Sequence, residues 1–203
     1  MDESEYDGPE AVSATVVTEE AATPSTSRKG AIIALVVVVA LLAIVLIVAL
    51  APKGKPVGGV LPADPKGYTA PEVILPRLDG TGQLSLADLK GKPVVVNFWA
   101  SWCTTCKEEA ATLVAAEKKW RDKGVVFLGI DSVDKDEAAR AYEKEFGVEY
   151  ASVVDPEGKT AAQWYVTAYP ESFFIDKDGR IVSAVRNGVD ETTLDEHIAG
   201  IAR

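Results

Sequence analysis

The sequence predicts an α/β domain built on a mixed sheet with helices on both faces, preceded by a single membrane-spanning helix. Three observations predict it. Residues Ala31–Ala51 form one apolar run, "AIIALVVVVALLAIVLIVALA", without a charged or polar side chain. From Pro71 to Arg203 the chain alternates short β-branched runs with segments whose apolar residues recur at helical spacing, the pattern of strands linked by crossover helices. The last two strand signals are joined by a tight turn, "KDG", and so close the sheet as a hairpin.

The chain opens with an acidic tail, residues 1–30. Met1–Ser27 holds seven acidic residues, no basic one and no helical apolar period, a composition that buries too little to fold. The apolar run 31–51 follows. Its 21 residues span about 31 Å at 1.5 Å per residue, matching a hydrocarbon core of ~30 Å. A buried core helix would keep a polar face, and this segment has none. Ala49-Leu50-Ala51 has the look of a signal-peptide cleavage site, but Pro52 is a poor fit after a scissile bond and the run exceeds a usual signal core. The segment reads as an uncleaved anchor. Arg28 and Lys29 before it nearly balance Lys53 and Lys55 after it, so the positive-inside rule leaves the orientation open. Residues 52–70, "PKGKPVGGVLPADPKGYTA", read as a linker rich in Pro, Gly and Lys.

The domain, residues 71–203, begins with "VILPRLDGTGQLSLADLKGK", a short hairpin and then a helical turn around Leu86–Leu89. "PVVVNFWA" (Pro93–Ala100) is a continuous apolar run, as expected of a strand covered on both faces. Ala110, Leu113, Val114 and Trp120 then keep helical spacing up to Gly124. "VVFLGIDS" (Val125–Ser132) is a second buried strand. Ala138, Ala139, Tyr142 and Phe146 mark a helix closed by Gly147. "YASVVD" is a short strand and Thr160–Tyr165 a short helix; "SFFID" and "RIVSAV" form the closing hairpin, and Leu194, Ile198 and Ile201 line a final helix.

The chain has two cysteines, Cys103 and Cys106, both in "NFWASWCTTCKEE". A zinc site normally takes four ligands. One C-x-x-C supplies two, and the single histidine, His197, reads as a surface residue of the last helix. A structural disulfide closing so short a loop removes little unfolded-state entropy. A redox pair fits best, because thiol–disulfide exchange passes through a mixed disulfide that a second thiol must attack. Cys103 falls where strand gives way to helix, where unpaired N–H groups and the macrodipole favour a thiolate. Cys106 follows one turn later on the same face. Cys103 is therefore expected to be the exposed nucleophile and Cys106 the shielded, resolving thiol. No histidine stands by as a base, which opposes a cysteine protease.

"VVVNFWASWCTTCKEE" resembles the active-site segment of the thioredoxin superfamily. More narrowly, "LSLADLKGKPVVVNFWASWC" and "YVTAYPESFFIDKDGRIV" (Tyr165–Val182) resemble the entry strand and the proline segment of its membrane-anchored TlpA/ResA/CcmG (DsbE) branch. The resemblance covers residues 71–203 and implies a thioredoxin fold with an N-terminal hairpin extension. The 64 residues from Cys106 to Pro170 leave room for the branch's central βα insertion. It implies roles by position: Pro170 as a cis-proline that exposes the Tyr169 backbone to substrate, Glu109 as a possible proton shuttle for Cys106, Trp102 and Tyr169 as substrate-binding residues, and Asn97 at the place of the superfamily's buried aspartate. Trp99 reads as core and Glu108 as a solvated glutamate. Thr104-Thr105 lacks the proline common between the cysteines, and Tyr169 is bulky for its position; both bear on potential and substrate choice.

The resemblance further implies an extracytoplasmic protein-disulfide reductase in the plasma membrane, single-pass, with its N-terminus in the cytoplasm. Its client would be a C-x-x-C such as that of apocytochrome c during cytochrome c maturation, and its electron donor a membrane thiol transporter of the CcdA/DsbD type. Residues 31–51 would hold it in the bilayer. A disulfide-forming oxidase is the rival within the enzyme class, and a non-catalytic binding module on the same scaffold the rival outside it. The intact cysteine pair opposes the second.

Other functions lack their residues. The formal charge is −10, and residues 71–203 carry 16 Lys and Arg against 23 Asp and Glu, the wrong balance for nucleic acid. "DKDG" (Asp176–Gly179) lacks the remaining ligands of a calcium loop. Asp131, Asp134 and Asp136 read as a solvated loop and helix start. Ala100 stands three before Cys103 where a peroxiredoxin needs Thr or Ser, and no phosphate-binding glycine loop occurs. No cofactor and no metal are expected.

Overall fold

The computed structural model describes residues 28–50 and 61–203. The acidic tail before residue 28 and residues 51–60 of the expected linker lie outside the described residues. The chain divides into two units, one ending at Pro52 and one beginning at Lys53.

In the first unit, helix α1 (Arg28–Leu50) runs for 23 residues. Ile32, Leu35, Leu42 and Leu46 are all exposed on it. Its side chains are described only in part, and over the described residues no helix is long and apolar enough to cross a membrane. The anchor expected at Ala31–Ala51 is therefore taken up below as a proposal.

The second unit holds a five-stranded sheet and a two-stranded one. The hairpin β1 (Ile74–Pro76) and β2 (Gln83–Ser85) comes first, then a 3-10 turn at Leu86–Leu89 whose N-terminus Ser85 and Asp88 cap reciprocally. The main elements are β3 (Val94–Trp99), α2 (Thr104–Arg121), β4 (Val126–Ser132), α3 (Asp136–Phe146), β5 (Ala151–Asp155), α4 (Lys159–Gln163), β6 (Glu171–Ile175), β7 (Ile181–Arg186) and α5 (Glu191–Ile201). The strand order is β5-β4-β3-β6-β7. β3, β4 and β5 run parallel, while β6 pairs antiparallel with both β3 and β7. The sheet is mixed, as the turn at "KDG" requires.

Side chains alternate across β3. Val94, Val96 and Phe98 enter one core with Leu128, Ile130, Trp164 and Phe173. Val95 enters the opposite core with Leu113 of α2 and Leu194, Ile198 and Ile201 of α5. A third cluster, at the C-terminal end of β3, joins Trp99 and both cysteines to Ala139 and Tyr142 of α3. Helices thus cover both faces. Gly147, in the left-handed conformation at φ 66°, ends α3 where the sequence placed the stop.

Three sequence expectations change here. Residues 61–70 belong to the folded domain rather than to a linker. Leu61 is fully buried beside Trp164, and its N–H donates to the Gln163 carbonyl. Gly67 and Ala70 add backbone bonds to Ile181 and Gly179. His197 is half-buried rather than on the surface: its ring stacks on Phe174 at 4.8 Å, and its Nδ1 lies 2.7 Å from Ser183 Oγ. Asp131 is buried, not solvated, because the end of β4 lies between β3 and β5.

Candidate active site

β3 ends at Trp99, and five residues later α2 begins at Thr104, with Cys103 as its N-cap. The Cys103 Sγ accepts the Cys106 N–H at 3.1 Å, so sulfur takes the capping role usually filled by oxygen. Cys103 and Cys106 are joined as a disulfide. Cys103 is 6% exposed and Cys106 1%. Both cysteines are thus buried in the oxidised pair, so Cys103 is not the exposed group the sequence suggests.

The turn before the disulfide is pinned from the β4–α3 loop. The Ser101 N–H donates to Asp134 Oδ2 at 2.5 Å, and Trp102 Nε1–H donates to the Val133 carbonyl at 3.1 Å. Trp102 stays 58% exposed and meets the edge of Tyr169 at 5.7 Å. Tyr169 precedes Pro170 through a cis peptide bond. Glu171 pairs with Phe98, so the Tyr169–Pro170 segment runs on beside the strand that leads into Cys103. Trp102, Cys103 and Tyr169 therefore share one surface. Trp99 lies in the core, stacked on Tyr142 at 4.4 Å.

Further along α2 from Cys106, Glu109 joins a buried polar cluster. Glu109, on the inner side of α2, is 5% exposed, whereas its neighbour Glu108 faces solvent. Its carboxyl accepts from Asn97 Nδ2 and from the Val189 N–H, each at 3.0 Å. Asn97 spends its other amide hydrogen on Ser172 Oγ at 3.1 Å. Burial pushes Glu109 up to about 7, against the pull of its two donors. A carboxyl that titrates near neutrality can take and return a proton. Gly188, at φ +90°, closes the cluster; a Cβ there would stand 3.0 Å from Thr105 Cγ2 and 3.7 Å from Glu109 Oε2.

Tyr142 of α3 donates its hydroxyl to the Cys106 carbonyl at 2.7 Å, and burial raises its own pKa. The sequence reading missed Tyr142, Val133, Asp134, Ser172 and Val189. Each acts on a residue at least 31 positions away, and no local pattern carries such a signal.

Among the described residues, no group of three or more His, Cys, Asp or Glu is placed to hold a metal ion. An apolar cavity of about 210 Å³, lined by residues such as Ala70, Leu86, Leu89 and Ile175, also touches Val94 at the start of β3, the end of the strand away from Cys103. Beside the buried cysteines, the exposed Trp102 and the half-buried Tyr169 present aromatic surface.

Residues 67–184 match the model of the AhpC/TSA family. The thiol-disulfide oxidoreductase ResA of Bacillus thuringiensis subsp. konkukian is 30% identical over 135 residues, which are 66% of this chain and 78% of that protein. The thiol:disulfide interchange protein DsbE of Pseudomonas fluorescens biotype C is 36% identical over 140 residues, 68% of this chain and 76% of that one. Among solved structures, a thiol:disulfide interchange protein of the thioredoxin family from Chlorobium tepidum superimposes with a TM-score of 0.61 at 29% identity. It covers 70% of this chain and 99% of its own.

Proposed function

The chain belongs to the AhpC/TSA family, among thiol–disulfide oxidoreductases of the ResA/DsbE type, and on that premise we propose that it reduces protein disulfides outside the cytoplasm while tethered to the membrane by α1. The observation that carries the reading is the Cys103–Cys106 disulfide at the head of α2, set above a buried carboxyl that titrates near 7.

The reduced Cys103 thiolate attacks one sulfur of the client disulfide; the client's other sulfur leaves as a thiolate and takes a proton. Cys106 then loses its proton and attacks the Cys103 sulfur of the mixed disulfide, which frees the second client thiol. The client gains two electrons and the pair becomes the disulfide. Glu109, three residues on in α2 with a carboxyl pushed up to about 7, receives the Cys106 proton in this reading. Trp102 and the Tyr169–Pro170 segment offer the surface on which the client lies.

The tether is supported by the sequence of α1, whose 23 residues amount to about 35 Å of helix, enough for a hydrocarbon core of ~30 Å. The orientation, with the N-terminus cytoplasmic, is supported by the ResA/DsbE resemblance and by Arg28 and Lys29. An impermeant thiol reagent applied to intact cells should label reduced Cys103; labelling only after the membrane is opened places the domain inside. A C-x-x-C client such as apocytochrome c and a CcdA/DsbD-type donor follow from the same resemblance.

Direction is tested by equilibrating the protein in glutathione buffers. Lys107, Glu108 and the buried Glu109 supply no net positive field to deepen the Cys103 thiolate, so the potential should fall at roughly −200 to −270 mV, between glutaredoxins and thioredoxin. A value near −120 mV, at the oxidising end of the scale, makes the protein a disulfide-forming oxidase instead.

A further inference from the structure

The mechanism above leaves Asp131 unused, as it does the buried Glu117, Asp155 and Glu171. Asp131 ends β4 with 2% of its surface exposed, and its Oδ1 has no hydrogen-bond partner. Its neighbours across the sheet are Trp99 of β3 and Val154 of β5, neither charged. The largest charges acting on it are those of Asp134 in the following loop and Asp136 and Glu143 of α3, all acidic; the Tyr169 hydroxyl also feels its charge. An ionised carboxylate in such a place has nothing to offset its desolvation.

Asp134 is in the opposite position. It is only partly buried, and it is rich in donors: Ser101 N–H at 2.5 Å on Oδ2, Lys135 N–H at 2.7 Å on Oδ1, and the Asp131 carboxyl within hydrogen-bonding reach. The residue between the two acids and Ser101 is unusual as well. Val133 holds φ at 54°, a conformation that β-branched residues rarely adopt, and from there its carbonyl receives Trp102 Nε1–H. Two consecutive residues just before Cys103 are thus held by two consecutive residues of the β4–α3 loop.

We propose that Asp131 and Asp134 share one proton and act together as positioning residues, a carboxyl latch that holds Ser101 and Trp102, and through them Cys103, in the geometry of attack. The proposal rests on the reading of Cys103 as the attacking thiol. Asp131 keeps the proton and donates it to Asp134, which stays an anion and accepts the Ser101 N–H. Burial pushes Asp131 up to about 8, and the nearby Asp134 charge adds to the shift. Burial alone would raise Asp134, but its bonds from Ser101, Lys135 and Asp131 hold it below the usual range. Removing the shared proton leaves two carboxylates in contact. The more exposed Asp134 relieves the repulsion by turning to solvent, and it releases Ser101 as it goes.

The test uses the full-length protein in detergent micelles, reduced, in single-turnover reaction with a chromogenic aromatic disulfide from pH 6 to 9.5. Asp131→Asn replaces the labile proton with an amide N–H that cannot leave. The rate ratio of Asp131→Asn to parent should rise about tenfold between pH 7 and pH 9, since each pH unit beyond a one-proton titration removes tenfold of the latched form. Tryptophan emission should titrate over the same range in the parent and stay flat in Asp131→Asn. Asp134→Ala, which has no latch at any pH, should be slow at pH 7 and pH 9 alike. A flat ratio from pH 7 to 9 with no emission change overturns the latch, even if Asp134→Ala fails to fold. Loss of disulfide reduction in every form, with the emission difference intact, sinks the oxidoreductase reading and leaves the latch standing.

Discussion

Replacing Glu109 with glutamine tests whether the buried carboxyl is a proton carrier or a strut. Glu109 rises from an ordinary 4.5 to about 7 because burial disfavours its anion. At ~1.4 kcal/mol per pKa unit, the folded state prefers the protonated form by about 3 kcal/mol more than the unfolded chain does. The sign follows from proton counts. Between pH 4.5 and 7 the native state binds the proton and the unfolded state does not, so stability falls as pH rises through that window. The full contribution is present below 4.5 and is gone above 7. Glutamine carries no such titration. Its single carbonyl can accept from Asn97 Nδ2 or from Val189 N–H but not both, which costs about 1–3 kcal/mol at any pH. Glu109→Gln should therefore be less stable than the parent at pH 4.5, and the difference should shift by about 3 kcal/mol in the variant's favour by pH 8. Urea denaturation of the oxidised forms at the two pH values measures this. In the proposed proton-carrier role the carboxylate takes the Cys106 proton, a contribution of about 10²–10⁴-fold for a positioned base. Stopped-flow mixing of the reduced protein with a disulfide peptide should show mixed disulfide forming at the parental rate and resolving at least 10²-fold more slowly, with the acid limb near pH 7 lost. Resolution at the parental rate with the acid limb intact would falsify the proton-carrier role and leave Glu109 as packing.

Other outcomes can be stated from the same structure. Cys106→Ser should accumulate mixed disulfides with clients on non-reducing gels and Cys103→Ser few; the reverse pattern exchanges the two roles. Leu61→Ala, which empties a fully buried site beside Trp164, should cost about 2–4 kcal/mol in chemical denaturation, and a fragment starting at Pro71 should melt below one starting at Leu61. Equal melting of the two fragments would return residues 61–70 to the linker. Gly188→Ala must hold φ +90° with its Cβ 3.0 Å from Thr105 Cγ2, so it should lose more than ~1 kcal/mol and shift the acid limb assigned to Glu109.

The two adjacent glutamates of α2 show where a sequence stops being informative. Glu108 and Glu109 are identical in type and one position apart, yet one is solvated and the other is walled in by Asn97, Val189 and Gly188. Only the family resemblance singled out Glu109; nothing local did. Asp131 was misread for the same reason. "DSVDKD" has the composition of a solvated loop, and its first carboxyl becomes a core group only because β3 and β5 flank it. Leu61 sits among Pro, Gly and Lys, where one apolar residue carries no periodicity, and its site is made by Trp164 a hundred positions on.

What the sequence by itself determined was local in origin: the order of strands and helices, the stop at Gly147, the closing hairpin, the cysteine pair at a strand-to-helix junction. Periodicities of two and of three to four residues and the special backbone freedom of glycine are properties of neighbouring positions, so they survive in the one-dimensional record. The tertiary structure alone decided which polar groups leave water and what they meet there. The environment of Glu109, Asp131 and Cys106 is assembled from β3, β4, α3 and the segment after β7, and the free energy of an ionised group depends on that assembled environment rather than on its neighbours in the chain.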